Sequence, residues 1–201
     1  MKWSDIFHFK NKTKENLESK SERATEIQEK LLEDRIIFLG TPIDDVVANE
    51  VIAKMLYLEY KSPNKDINLY INSLGGSITS SFAIYDTIKS INPDVATVCV
   101  GQAAGTGAIL LAGGKQGKRF AQPSSRIVIY KPKIPSNNEQ DPKTVQKELE
   151  RMKELIMITL ANDTKLHPDQ VLSFMKSDTI LNAEESVKYG FVDAIVKSSD
   201  Q

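Results

Sequence analysis

A run of small residues between an apolar strand and an apolar helix constrains this chain more than any other feature of its sequence. Residues 95–100 are apolar or β-branched, which predicts a strand covered on both faces. Gly101 is expected to end this strand. Residues 103–107 carry little side-chain volume, and residues 109–112 form part of a helix too apolar to face water. Such a turn lets another backbone or a ligand approach very closely.

The tip of this turn is Gly105. A strand-to-helix turn can hold a nucleophile with backbone N–H groups beside it as an oxyanion hole. Glycine has no side chain with which to attack a substrate. A second strand-to-helix turn, residues 73–77, contains Gly75 and Gly76, whose spacing fits neither a phosphate-binding loop nor a dinucleotide fingerprint. We therefore interpret the second turn as an ordinary tight turn.

Length and composition exclude several classes of protein. A chain of 201 residues suits one domain, expected over residues 23–201, preceded by a flexible, lysine-rich arm over residues 1–22. The formal net charge of -1 provides no basic field for nucleic acid. No apolar run approaches the ~20 residues that span a bilayer, and residues 1–20 lack the apolar centre of a signal peptide. The single cysteine, Cys99, is expected to be a buried structural thiol.

Predicted strands and helices alternate along the chain, which is typical of an α/β fold with a largely parallel sheet. The strands are expected over residues 35–40, 67–72, 95–100, 126–130 and 191–196. The other helices are expected over residues 23–33, 46–60, 79–91 and 144–160, and after residues 167 and 182. Because residues 130–163 provide no returning strand, this segment is expected to project from the body.

Seven short motifs follow one another along the chain. They are Asp34-Arg-Ile-Ile-Phe-Leu-Gly, Asn72-Ser-Leu-Gly-Gly, Ala83-Ile-Tyr-Asp, Gly101-Gln-Ala-Ala-Gly, Gly117-Lys-Arg-Phe, Ser125-Arg-Ile-Val-Ile-Tyr-Lys-Pro and Ala183-Glu-Glu-Ser-Val-Lys-Tyr-Gly-Phe-Val-Asp. Their order and spacing over residues 23–196 resemble the proteolytic subunit family of the Clp protease. The resemblance implies a crotonase-like fold of repeated ββα units with a protruding handle helix, here at about residues 131–163. It also implies heptameric rings stacked into a closed chamber.

Active members of this family use a Ser-His-Asp triad. The serine position falls on Gly105, the histidine position on Tyr130 and the aspartate position on Asp178. Serine acylation needs an oxygen nucleophile and a base, and a tyrosine phenol with a reference pKa of ~10 is a poor base near neutral pH. Loss of one triad member lowers turnover on the order of 10⁴- to 10⁶-fold. We therefore expect no catalytic residue here, and expect Asp178 either to bond Tyr130 or to serve a subunit contact.

The resemblance also assigns the oxyanion donors. They are the backbone N–H groups of Gly76 and Thr106. We expect these groups to keep the arrangement of an oxyanion hole and to be able to hold a peptide carbonyl. Active members pair a glycine-rich handle loop with the opposite ring, whereas residues 133–142 of this chain include prolines that cannot donate to a β ladder. This composition argues against pairing between rings through that segment.

The family docks unfoldase loops in an apical pocket of aromatic residues. At the matching positions this chain keeps Tyr70 and Phe120, but has Asn68 and Ser90 in place of an aromatic pair. We expect the docking of an unfoldase on this surface to be weakened or redirected.

The loss of both serine and histidine resembles the ClpR proteins, non-catalytic paralogues of cyanobacteria and plastids. The predicted function is that of a non-catalytic ring subunit of an ATP-dependent Clp serine protease, with a structural or regulatory role in assembling its chamber. The implied partners are further copies of itself or an active paralogue in a heptameric ring, and an AAA+ unfoldase. No cofactor, metal, nucleic acid or membrane partner is expected.

Two alternative functions stay open. One alternative is an active serine-type peptidase with a relocated nucleophile. The other is a crotonase-fold enzyme that binds an acyl thioester through the amides of residues 75–76 and 105–106. The predicted location is a plastid-type organelle (apicoplast or chloroplast stroma), with a cyanobacterial or bacterial cytoplasm as the alternative.

Overall fold

Strands and helices alternate through residues 25–132 and 141–196, which are the residues that this computed structural model describes. The chain divides into two compact units, residues 1–36 and 37–201. In the first unit, helix α1 covers residues 25–33. The predicted arm and most of the proline-containing segment before residue 142 lie outside the described residues. The single domain predicted over residues 23–201 stays a prediction.

Further strands and helices follow α1 along the chain. They are β1 (Ile36–Leu39), α2 (Asp45–Lys61), β2 (Ile67–Ser73), α3 (Ile78–Ser90), β3 (Val95–Ala104), α4 (Thr106–Ala112), β4 (Arg119–Ala121), β5 (Arg126–Ile129), α5 (Pro142–Asp163), α6 (Pro168–Lys176), β6 (Thr179–Leu181), α7 (Ala183–Lys188) and β7 (Ala194–Ile195).

Within the described residues, the strands form one seven-stranded mixed sheet. The strand order is β1-β2-β3-β4-β7, with β5 pairing with β3, and β6 pairing with β5. The pairs that β3 makes with β2, β4 and β5 are parallel, as is the pair of β4 with β7, whereas β5 and β6 are antiparallel. This mixed α/β architecture confirms the predicted fold class.

Side chains that cap helix N-termini lie where the sequence predicts helices to begin. Asp44 accepts a hydrogen bond from the backbone N–H of Val47 and so caps α2. Asn182 and Glu185 form a reciprocal capping box at the start of α7. His167 caps α6 in the same way.

The core is formed by the apolar face of the sheet and the helices that cover it. Alternate residues of β2 are fully buried, and every residue of α4 is buried. The buried residues of α5 lie between its middle and its C-terminal end: Met152, Ile156, Thr159 and Leu160. Among the described helices, none has the length and apolar character needed to cross a bilayer.

The expectation that Gly101 ends the central strand is wrong. β3 continues to Ala104, and Gly101 lies inside it with a φ of 78°. Before this glycine β3 pairs with β4, and after it residues 102–104 pair with β5. Glycine adopts positive φ without steric cost, so it bends the strand and lets it change neighbours. This bend leads the chain from the centre of the sheet to the turn at Gly105.

Smaller differences concern the short strands. The sequence does not predict β4 or β6, which have three residues each, and it predicts a closing strand over residues 191–196 where β7 has only two residues. Strands this short carry no usable hydrophobic alternation, so they are recognised only through their pairing partners.

A buried ion pair joins β4 to the segment before β7. Arg119 donates from Nε and Nη2 to the carboxylate of Asp193, at 3.0 and 2.7 Å. Arg119 Nη1 donates to the backbone carbonyls of Ala112 and Asp163. The backbone N–H of Gly117 also donates to Asp193. We call these five residues the arginine cluster.

Candidate functional site

A cavity of about 570 Å³ opens beside the turn that joins β3 to α4. All three residues at the predicted triad positions line it: Gly105, Tyr130 and Asp178. The two predicted oxyanion donors, Gly76 and Thr106, line it as well. The remaining lining is mainly apolar and is formed by Ile78, Ile109, Val128, Ile129, Lys131, Pro132, Ile156, Leu160 and Ile180.

Gly105 forms the turn at the edge of this cavity. Its backbone has a φ of 53° and a ψ of -116°, a conformation that L side chains rarely adopt. Its N–H donates to Val128 O at 2.8 Å, and its carbonyl accepts from Ala108 N at 3.1 Å. The neighbouring backbone therefore holds the turn in the geometry typical of a nucleophile turn, without a nucleophilic side chain.

Tyr130 lies directly over Gly105. Its hydroxyl donates a 2.6 Å hydrogen bond to Leu74 O, in the turn between β2 and α3. Partial burial raises the pKa of the Tyr130 phenol above its usual value. The group at the position predicted for the base is therefore a neutral donor at physiological pH.

Asp178 lies in the turn between α6 and β6. Its φ of 48° is left-handed, which aspartate tolerates better than most residues do. The side chain is exposed. Of the two roles expected for Asp178, the bond to Tyr130 is not formed, because the Tyr130 hydroxyl donates to Leu74 O instead.

The two residues predicted as oxyanion donors are hydrogen-bonded to each other. The N–H of Gly76 donates to the side-chain hydroxyl of Thr106 at 3.1 Å, so this donor already has a partner within the chain. The Thr106 hydroxyl also lies 2.8 Å from Ser81 Oγ. Gly75 allows this contact, because a Cβ at Gly75 would lie 2.9 Å from the backbone nitrogen of Thr106. The sequence alone does not reveal this side-chain role of Thr106.

Of the four residues predicted for unfoldase docking, three lie on the sheet and one lies at the end of α3. Tyr70 pairs in register with Val98, which pairs with Phe120, so the two aromatic residues belong to one row across the sheet. Asn68 lies two residues before Tyr70 and so shares its face of β2. Ser90 is the last residue of α3, and its hydroxyl donates to Thr87 O.

Cys99 occupies the expected environment. It is fully buried within β3, and this burial raises the pKa of its thiol to about 11. This environment confirms a structural thiol rather than a nucleophile. No group of histidine, cysteine, aspartate or glutamate side chains in the described part of the chain is placed to bind a metal ion.

A comparison with protein families agrees with the architecture and the position of the cavity. The family model of the Clp protease matches residues 19–199. The chain belongs to the Clp protease family. It is therefore homologous to serine proteases, and members of the Clp protease family generally form ring oligomers that work with AAA+ unfoldases.

Two hydrogen bonds beside this cavity join residues that lie far apart in the sequence. The Tyr130 hydroxyl bonds a carbonyl 56 residues away, and the Thr106 hydroxyl accepts from an amide 30 residues away. The only sequence signal for either contact is the residue type itself, a phenol and a hydroxyl at the cavity.

Proposed function

We propose that this chain is a non-catalytic subunit of a Clp protease ring, with a role in the assembly and regulation of the chamber rather than in peptide-bond cleavage. The observation that carries the proposal is the composition of the cavity. Its described lining contains no serine, cysteine or histidine. At the edge of the cavity, the positive-φ turn presents Gly105 in place of a nucleophile.

Tyr130 is unsuited to act as the base. To accept a proton it must first ionise, and burial makes this ionisation harder by raising the pKa of its phenol. Its hydroxyl hydrogen is also engaged with Leu74 O. A base must be largely deprotonated at the working pH, and Tyr130 does not meet this condition.

A relocated nucleophile has weak support as the alternative. Thr106 is the nearest aliphatic hydroxyl to the turn, but it is buried and already hydrogen-bonded to the Gly76 N–H. His167, the histidine within the described residues, caps α6 and does not line the cavity. An acyl-thioester enzyme would use the Gly76 amide, whose N–H is likewise engaged.

The proposed assembly is a heptameric ring, made of copies of this chain alone or of this chain and an active paralogue. The row that contains Tyr70 and Phe120 is the proposed contact for an AAA+ unfoldase, weakened by the polar Asn68 and Ser90. We propose that the complex works in a plastid-type organelle, with a bacterial or cyanobacterial cytoplasm as the alternative. Fractionation of the native source tests this location directly.

The decisive experiment combines assembly and activity. The full chain is produced in a host that lacks its own Clp protease, alone and together with an active Clp proteolytic subunit. Native mass spectrometry is expected to detect rings of about seven subunits. The chain alone is expected to show no cleavage of fluorogenic peptides and no labelling by a fluorophosphonate, whereas the active subunit prepared in parallel shows both.

Three outcomes contradict the proposal. Peptide turnover by the chain alone, with a labelled residue identified by mass spectrometry, would establish a relocated nucleophile. Saturable binding of an acyl-CoA in a calorimetric titration would instead favour the crotonase-type enzyme. A chain that stays monomeric both alone and with the active subunit would remove the role in assembly.

A further inference from the structure

The backbone at Gly105 is fixed independently of any side chain. Its N–H bonds Val128 O on β5, and its carbonyl accepts the first helical bond of α4, from Ala108. Glycine adopts the observed φ of 53° freely, whereas an L residue there is strained. A side chain at position 105 would therefore have to project from this conformation, in the direction that the backbone sets.

That direction is blocked by Tyr130. A Cβ built on residue 105 would overlap Oη and Cζ of the Tyr130 ring and would lie 2.8 Å from its Cε2. Carbon atoms in van der Waals contact lie about 3.5–4.0 Å apart. Even alanine, the smallest side chain, therefore cannot be placed at residue 105 while the ring keeps its position.

The ring is held in that position from two sides. Its hydroxyl donates to Leu74 O at 2.6 Å. Its backbone follows directly after β5, in which Val128 pairs with Ala104 in the strand that leads to Gly105. The turn and the ring are thus anchored to the same pair of strands, and outward movement of the ring breaks the bond to Leu74.

We propose that Tyr130 plugs the position that a nucleophile would occupy, so that residues 105 and 130 are coupled and any side chain at position 105 must displace the Tyr130 ring. This inference rests on the proposed function, because it explains how the non-catalytic site is kept closed. It also predicts that the loss of serine cannot be reversed by one substitution.

The test is a double-mutant cycle measured on the full chain at a fixed protein concentration. The four proteins are the wild type, Gly105→Ala, Tyr130→Ala and the double variant. In the wild-type background, Gly105→Ala introduces both backbone strain and the overlap with the ring, and is expected to lower the melting temperature by roughly 5 °C or more. With Tyr130→Ala already present, only the backbone strain remains, and the decrease is expected to be roughly half as large.

Gly117 provides a matched control. Its φ of 84° is also positive, but a Cβ there meets nothing within 4 Å. Gly117→Ala is therefore expected to lower the melting temperature by the same amount with tyrosine or alanine at position 130. This control separates strain in the backbone from a general loss of stability in the Tyr130→Ala background.

The outcomes are distinct. An equal effect of Gly105→Ala in both backgrounds overturns the plug. If Gly105→Ala alone gives no folded protein, its recovery by Tyr130→Ala supports the plug, and failure to recover overturns it. Peptide turnover by the wild-type chain would instead defeat the proposed function, and it leaves the result of this cycle unchanged.

Discussion

The arginine cluster and the cavity beside Gly105 use their polar groups in opposite ways. In the cluster, Arg119 and Asp193 connect β4 to the chain before β7 and to the carbonyls of Ala112 and Asp163. In the cavity, the Tyr130 and Thr106 hydroxyls bond backbone groups of the neighbouring turn, and Asp178 is exposed. The first set is built on an ion pair whose cation is almost fully buried, whereas the second consists of neutral hydrogen bonds beside a cavity.

This difference predicts how the two regions respond to substitution. Within the described residues, no buried side-chain nitrogen or oxygen lacks a hydrogen-bond partner. Loss of the Tyr130 hydroxyl leaves only the carbonyl of Leu74, an exposed residue, without its donor. In the arginine cluster, by contrast, loss of the Arg119 side chain leaves the carboxylate and the carbonyls that face it without their donor.

The largest expected effect is that of Arg119→Met, which keeps the apolar stem and removes the charge. The side chain of Arg119 is 5% exposed, so its loss leaves Asp193 partly buried without its cation and two carbonyls without their donor. We expect the free energy of unfolding to fall by about 3–5 kcal/mol. Chemical denaturation at a fixed protein concentration measures it.

Arg151→Met is the matched control for this prediction. Arg151 pairs with Glu148 on the solvent face of α5, and its side chain is 61% exposed. The free energy of unfolding is expected to stay the same within experimental error. If both arginine variants unfold at the same denaturant concentration, the arginine cluster has no special role in stability.

Tyr130→Phe gives the next largest effect and separates the hydroxyl from the ring. The variant keeps the ring over Gly105 and loses only the bond to Leu74 O, a carbonyl of an exposed residue that water can reach. We expect a loss of about 0.5–1 kcal/mol. Tyr60→Phe is the control, because Tyr60 is 88% exposed. A loss comparable to that of Arg119→Met would contradict the contrast between the two regions.

Much of this architecture follows from local sequence patterns. The alternation of strands and helices predicts the α/β class, and Asp44 and Asn182 mark helix starts that the structure confirms. The motif resemblance assigns three triad positions, all of which line one cavity. Their catalytic or non-catalytic roles stay predictions.

What the sequence does not predict depends on contacts between distant residues. A glycine such as Gly101 is typical of the end of a strand, but pairing with β5 continues the strand beyond it. The bonds of Tyr130 to Leu74 and of Gly76 to Thr106 join segments that only the folded sheet brings together. No periodicity or spacing within one segment carries that information.

The smallest expected effect is a dependence of stability on acid. Burial by itself would raise the pKa of Asp193, but the hydrogen bonds and charge of Arg119, with the Gly117 N–H, lower it overall. A carboxyl with a lowered folded-state pKa adds stability above its unfolded pKa of about 3.9, and this stability is lost as the pH falls through the folded-state value. The difference in the free energy of unfolding between the wild type and Asp193→Asn is therefore expected to become smaller below about pH 4.

Glu154→Gln controls for the general effect of removing one carboxylate. Glu154 is exposed on α5 and lies outside the arginine cluster, so this variant shows how far the removal of one carboxylate changes stability in general between about pH 2.5 and 6. Denaturation at several pH values measures both differences. A constant difference for Asp193→Asn would mean that the arginine cluster stabilises the fold through the shape of its hydrogen bonds, with no contribution from the ionised carboxylate.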